Sequence, residues 1–109
     1  MTHITIYRNQ KNVFTGFCCE GHAGYANAGD DIVCAGISTL VINTINSIEA
    51  LTATQILADA EQESGTIHVN FPSGCDLQAK LLVNAMILGL QKKKKNYGKR
   101  FLTLDFKEV

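Results

Sequence analysis

The sequence predicts an α+β fold: a small sandwich of two helices on one face of a mainly antiparallel sheet, in the order ββαββαβ. Three observations predict it. Two long stretches repeat apolar residues at helical spacing, several short ones alternate apolar and polar residues, and Gly- or Pro-bearing breakers separate them. The chain has 109 residues, 46% of them apolar, with nine Gly and one Pro. That is enough for a core without metal or disulfide support and too little for two, so residues 1–109 are expected to form one domain.

Residues 3–8, His-Ile-Thr-Ile-Tyr-Arg, alternate and read as a strand. Residues 13–20 are rich in β-branched and aromatic side chains and read as a second, with Gln10, Lys11 and Asn12 as the hairpin turn. Residues 21–31 read as a loop, and small residues at Gly24, Ala26, Ala28 and Gly29 make it mobile. A helix follows, because Val33, Ile37, Leu40, Val41, Ile45, Ile48 and Leu51 fall on a helical period. Asp30 or Asp31 can cap it by accepting from free backbone N–H groups. Residues 54–63 and 66–71 are weaker strands joined at Ser64 and Gly65, and Pro72, Ser73 and Gly74 form a breaker. Asp76 can cap a second helix reaching about Tyr97, made apolar over more than one face by Leu81, Leu82, Ala85, Met86, Leu88 and Leu90. Its last turn carries lysines, which suit the negative end of the helix dipole. Residues 101–106 alternate and read as the final strand.

Charge is balanced overall and polarised along the chain. Residues 1–91 carry three basic and eight acidic side chains, a net of −5, while residues 92–109 carry seven basic and two acidic, a net of +5. Basic residues confined to one run argue against a general nucleic-acid binder, so no direct nucleic-acid contact is expected. No apolar run reaches the roughly 18 residues of a membrane span, and no signal-peptide pattern is present. No membrane contact is expected, and the four Cys read as reduced thiols of a cytoplasmic protein.

Cys34 is the most informative residue. It is expected in the first turn of the first helix, where the dipole favours the thiolate and free N–H groups, around Ala35 and Gly36, can bind an oxyanion. Gly36, lacking a side chain, leaves room for a substrate backbone. His22 lies at the other end of the preceding loop, which is long enough to fold an imidazole back onto the thiol as its base. The competing reading makes Cys34 a small buried apolar residue and His22 a turn residue.

The words around these residues bear on that choice. Gly21-His22-Ala23, followed by Asp31-Ile32-Val33-Cys34-Ala35-Gly36-Ile37-Ser38, resembles the Prp family of bacterial ribosomal-processing cysteine proteases, and the resemblance covers the whole chain. It implies a cysteine endopeptidase with Cys34 as nucleophile and His22 as its partner. It implies a homodimer and a flexible loop over residues 23–30, including Ala23, Gly24, Tyr25, Gly29 and Asp30, that orders over the substrate. It also implies the substrate: the precursor of large-subunit ribosomal protein number twenty-seven, whose short N-terminal extension is removed after an aromatic residue. Asp31 and Ser38 fall on motif positions. Asp31 can cap the helix or orient His22; Ser38, one turn after Cys34, can bond the thiolate, the substrate or the carbonyl of Cys34.

Cys18, Cys19, His22 and Cys34 invite a zinc reading. Adjacent Cys in a strand point to opposite faces and the spacing lacks a Cys-x₂-Cys pair, so neither metal nor cofactor is expected. Cys75 reads as buried or inert, and His3 and His68 as surface or edge residues. A non-catalytic, ribosome-associated dimeric module, binding through Lys92, Lys93, Lys94 and Lys95 with Cys34 incidental, is the alternative function.

Overall fold

The computed structural model describes residues 2–21, 28–61, 63–97 and 101–109, with residues 28–32 and 97 described by backbone. Strand β1 (Thr2–Arg8) and β2 (Phe14–Glu20) form an antiparallel hairpin. Its turn is built by Asn9, whose side-chain oxygen accepts from the N–H groups of Lys11 and Val13 at 2.9 and 3.0 Å. Asn12 takes the left-handed conformation (φ 62°), which Asn tolerates better than most residues. Helix α1 (Ala28–Leu51) then crosses to the hairpin of β3 (Leu57–Glu61) and β4 (Thr66–Asn70). Helix α2 (Leu77–Tyr97) returns the chain to β5 (Leu102–Glu108).

The sheet order is β3-β4-β2-β1-β5. Every pairing is antiparallel except β1 with β5, which lie parallel because the chain returns to β1 by way of α2. Strand alternation gives the sheet two chemically different faces. Ile4, Ile6, Phe17, Cys19, Ile67 and Val69 point into the core with the inner faces of both helices. Phe71 closes its end with its ring 6.1 Å from that of Phe17. The opposite face carries Thr5, Tyr7, Cys18, Asp59, His68 and Asn70, as the strand register requires.

The α1 stripe of Val33, Ile37, Val41, Ile45 and Ile48 is buried, whereas Leu51 is exposed at the helix end. Val33–Leu51 also has the length and mean hydropathy, 1.2, of a membrane-crossing helix, which the sequence reading did not anticipate. Its buried stripe is packed on the sheet, as in a core helix. In α2 the buried residues are Ala79, Val83, Met86, Ile87 and Leu90, so Leu81 and Leu88, expected to add to an apolar face, point outward.

Asp76 caps α2 as expected: its carboxylate accepts from Ala79 N–H at 2.8 Å and its carbonyl accepts the first helical bond, from Lys80, at 2.9 Å. Thr54, at the end of the α1–β3 connection, accepts from the Asp76 N–H at 2.9 Å and ties the cap to the other half of the fold.

The start of α1 differs from expectation. The helix begins at Ala28, so Gly29, Asp30 and Asp31 lie inside it rather than in a loop, and neither Asp is its cap. Ala28 is a strong helix former, and carboxylates in a first turn interact favourably with the dipole without capping. The apolar period marks where a helix meets the core; it does not mark where the helix starts. The other loop residues, Ala23, Gly24 and Tyr25, lie outside the described residues.

Candidate active site

Cys34 is the seventh residue of α1, in its second turn rather than its first. Its side chain is 8% exposed and lies on the flank of the core stripe, between Val33 and Ile37. Two consequences follow. The dipole acts mainly within the first turn, so it contributes less to ionising this thiol than a first-turn position would. The N–H groups without a helical partner belong to residues 28–30, while those from Asp31 onward, Ala35 and Gly36 included, are taken up by the helical hydrogen-bond ladder. The expected oxyanion donors at Ala35 and Gly36 are therefore already engaged within the helix. Helical Cβ atoms tilt toward the helix start, the side of Cys34 on which residues 28–30 lie.

The space at Gly36 borders α2. A Cβ there would stand 3.0 Å from Lys93 Nζ, so the missing side chain also leaves room for the flexible end of a lysine from α2. Ala35 is exposed, and Ser38, one turn after Cys34, is half-buried. His22 lies outside the described residues, immediately after Gly21, where β2 has ended and the chain heads for α1.

The described residues do bring together a different Cys–His pair. On the open face of the sheet, Cys18 Sγ lies 3.5 Å from His68 Nδ1, and its thiol donates to Glu20 Oε1 at 3.4 Å. The register that pairs Cys18 with His68 joins β2 to β4, fifty positions apart, and nothing in either strand's own pattern specifies it. The pair is a poor nucleophile. Burial, then the hydrogen bond and charge of Glu20, push the Cys18 thiol up to about 11. Cys18 also sits between two paired strands, whose N–H groups are engaged in the ladder and offer an oxyanion nothing. Burial pushes the core thiol of Cys19 up to about 12, and burial with the neighbouring Asp76 charge does the same for Cys75. Among the four thiols, Cys34 alone lies within a helix.

Cys18 and Cys19 do point to opposite faces, one open and one in the core. Among the described residues no group of three His, Cys, Asp or Glu is arranged to hold a metal ion. A groove of about 640 Å³ crosses the open face between Tyr7, Gly16, Leu57, His68 and Asn70. It lies toward the start of β2, at the opposite end of that strand from the connection to α1.

The sequence model for cysteine protease Prp matches residues 1–101. The ribosomal processing cysteine protease Prp of Bacillus subtilis is 31% identical over 101 residues, covering 89% of this chain and 90% of that protein. The crystal structure of an essential ribosomal processing protease Prp from Staphylococcus aureus with a substrate peptide superimposes with a TM-score of 0.89 at 26% identity, covering 98% of this chain and all of that one. A second structure of the S. aureus enzyme, with a covalently linked product peptide, gives a TM-score of 0.86 at 27% identity over the same share of both chains. A family model matched over residues 1–101, and a fold and sequence shared along nearly the whole length with peptide-cleaving relatives, make this chain a cysteine protease of the Prp family.

Proposed function

We propose that this protein is a cysteine endopeptidase that removes the N-terminal extension of the precursor of large-subunit ribosomal protein number twenty-seven, acting as a cytoplasmic homodimer. The observation that carries the reading is the covalently linked product peptide on the S. aureus relative, which fits a mechanism passing through an acyl-enzyme.

In this mechanism His22 takes the Cys34 proton and the sulfur attacks the scissile carbonyl carbon. The carbonyl electrons move to oxygen, and the oxyanion is held by N–H donors of residues 28–30 at the start of α1. The C–N bond then breaks, His22 gives its proton to the leaving amine, and a thioester remains on Cys34. Water, deprotonated by His22, attacks the thioester and releases the carboxylate product and the thiol. Because Cys34 is a full turn inside α1, the imidazole supplies most of the activation and the dipole a smaller part. Asp31, within the first turn, orients His22, and Ser38 supports the thiol from the next turn.

Incubating the purified protein with the full-length precursor and sequencing the new N-terminus tests the reading. A single cut after an aromatic residue near the precursor's start is expected. An uncut precursor, beside a general cysteine-protease substrate that is cut, would leave the family activity in place and remove the substrate assignment.

A further inference from the structure

The two helices lie antiparallel where they touch: Gly36 meets Lys93, and Leu40 meets Gly89. Beside this crossing opens a groove of about 540 Å³, with Thr39 and Asn43 of α1 facing Lys92, Lys93 and Asn96 of α2. Among the described residues its polar wall is one hydroxyl, two amides and two ammonium groups, with no carboxylate. Among the described residues none of Lys92, Lys93, Lys94 and Lys95 is tied to a carboxylate by an ion pair. Lys93 is half-buried, its side chain laid across Gly36, so one positive charge is held at the groove rather than left to wander in solvent.

The lysine run, read in sequence as a solvated helix end, is thus half of a wall whose other half comes from α1. We propose that this groove binds the phosphate backbone of a folded RNA. Several unpaired ammonium groups along one helix end match a repeating anion better than a single carboxylate. Amide and hydroxyl groups beside them suit phosphate oxygens and ribose hydroxyls, which are what RNA presents on its accessible surface. Among the described residues the lining offers ammonium, amide and hydroxyl groups, which suit backbone contact. The last turns of α2 carry Lys92, Lys93, Lys94 and Lys95, whereas residues 1–91 carry a net of −5.

The test is fluorescence anisotropy of a labelled RNA hairpin titrated with the full-length protein at several salt concentrations. Two single variants attack the groove from opposite walls: Lys93→Glu on α2 and Asn43→Asp on α1. Lys95→Glu changes the run outside the groove. The wild type should bind with an affinity that falls steeply with salt. Lys93→Glu should weaken binding about tenfold and lower the salt slope by about 1 or more, because it loses a phosphate contact and adds repulsion. Asn43→Asp should weaken binding although it leaves every lysine in place, and Lys95→Glu should do less than Lys93→Glu. Thermal melting checks that each variant is folded. Wild-type binding by both groove variants would overturn the proposal, as would equal losses in Lys93→Glu and Lys95→Glu with none in Asn43→Asp. Displacement of the hairpin by polyglutamate as effectively as by unlabelled hairpin would also overturn it, since the groove would then be a site for acidic peptides.

Discussion

Three of the four thiols in this protein are held protonated by where they sit, and that sets how each responds to pH. Cys18, at about 11, and Cys19 and Cys75, at about 12, all lie above the usual thiol value of 9.0. At neutral pH they carry very little thiolate, and thiolate is the form that alkylates. Brief iodoacetamide treatment at pH 7 followed by peptide mapping should label Cys34 ahead of the other three combined; equal labelling of all four would contradict an activated Cys34. The same shifts act on stability. Each raised group holds its proton more tightly when folded than when unfolded, so its contribution is fully present below about pH 9 and is lost as pH rises toward 11–12. Thermal melts should therefore fall progressively above pH 9, and Cys19→Ala, though less stable overall, should show a shallower fall. A melting temperature flat from pH 8 to 11 would count against burial as the cause.

At the scale of elements, close backbone approach and capping decide which substitutions hurt. A Cβ on Gly16 would stand 2.3 Å from the Val69 carbonyl oxygen, which is backbone and cannot rotate away, so β2 and β4 would have to part. Gly16→Ala should cost about 1–3 kcal/mol by urea denaturation. Asp76→Ala, which removes the cap of α2, should cost about 1 kcal/mol in the same measurement. An undiminished midpoint in both variants would contradict the packing described.

These elements also show what the sequence could reveal. The caps, turns and strand alternation are local, and Asp76, the turn at residues 10–12, Gly65 and the Ile4–Ile6 pattern all announce themselves within a few residues, although the part of Asn9 in building that turn does not. The parallel pairing of β1 with β5 and the meeting of Cys18 with His68 depend on which strands become neighbours, a long-range choice that neither strand's composition records. The beginning of α1 was misread because its first turn makes no use of apolar periodicity. That error of a turn bears on both the expected oxyanion donors and the dipole's contribution. The role of Gly36 was hidden for a different reason: its neighbour, Lys93, is nearly sixty residues away and on another helix.

Across the whole molecule, charge separation is the feature with functional reach. If the proposed precursor is the substrate, residues 1–91, at a net of −5, favour capture of a basic partner, an attraction that salt screens with a Debye length of about 8 Å at physiological ionic strength. Precursor turnover at low substrate concentration should fall as salt rises, whereas turnover of a short neutral peptide spanning the cut should change little. Equal salt dependence for the two would contradict electrostatic capture by these residues.

The account as a whole rests on Cys34, on helix α1, rather than the Cys18–His68 pair on the open sheet face, as the nucleophile. The direct measurement is the cleavage rate of the precursor by Cys34→Ala and Cys18→Ala, each checked for folding by thermal melting. Cys34→Ala should still bind the precursor and leave it uncut, and Cys18→Ala should cut it at close to the wild-type rate. Cleavage at the wild-type rate by Cys34→Ala, or its loss in a folded Cys18→Ala, would contradict the account.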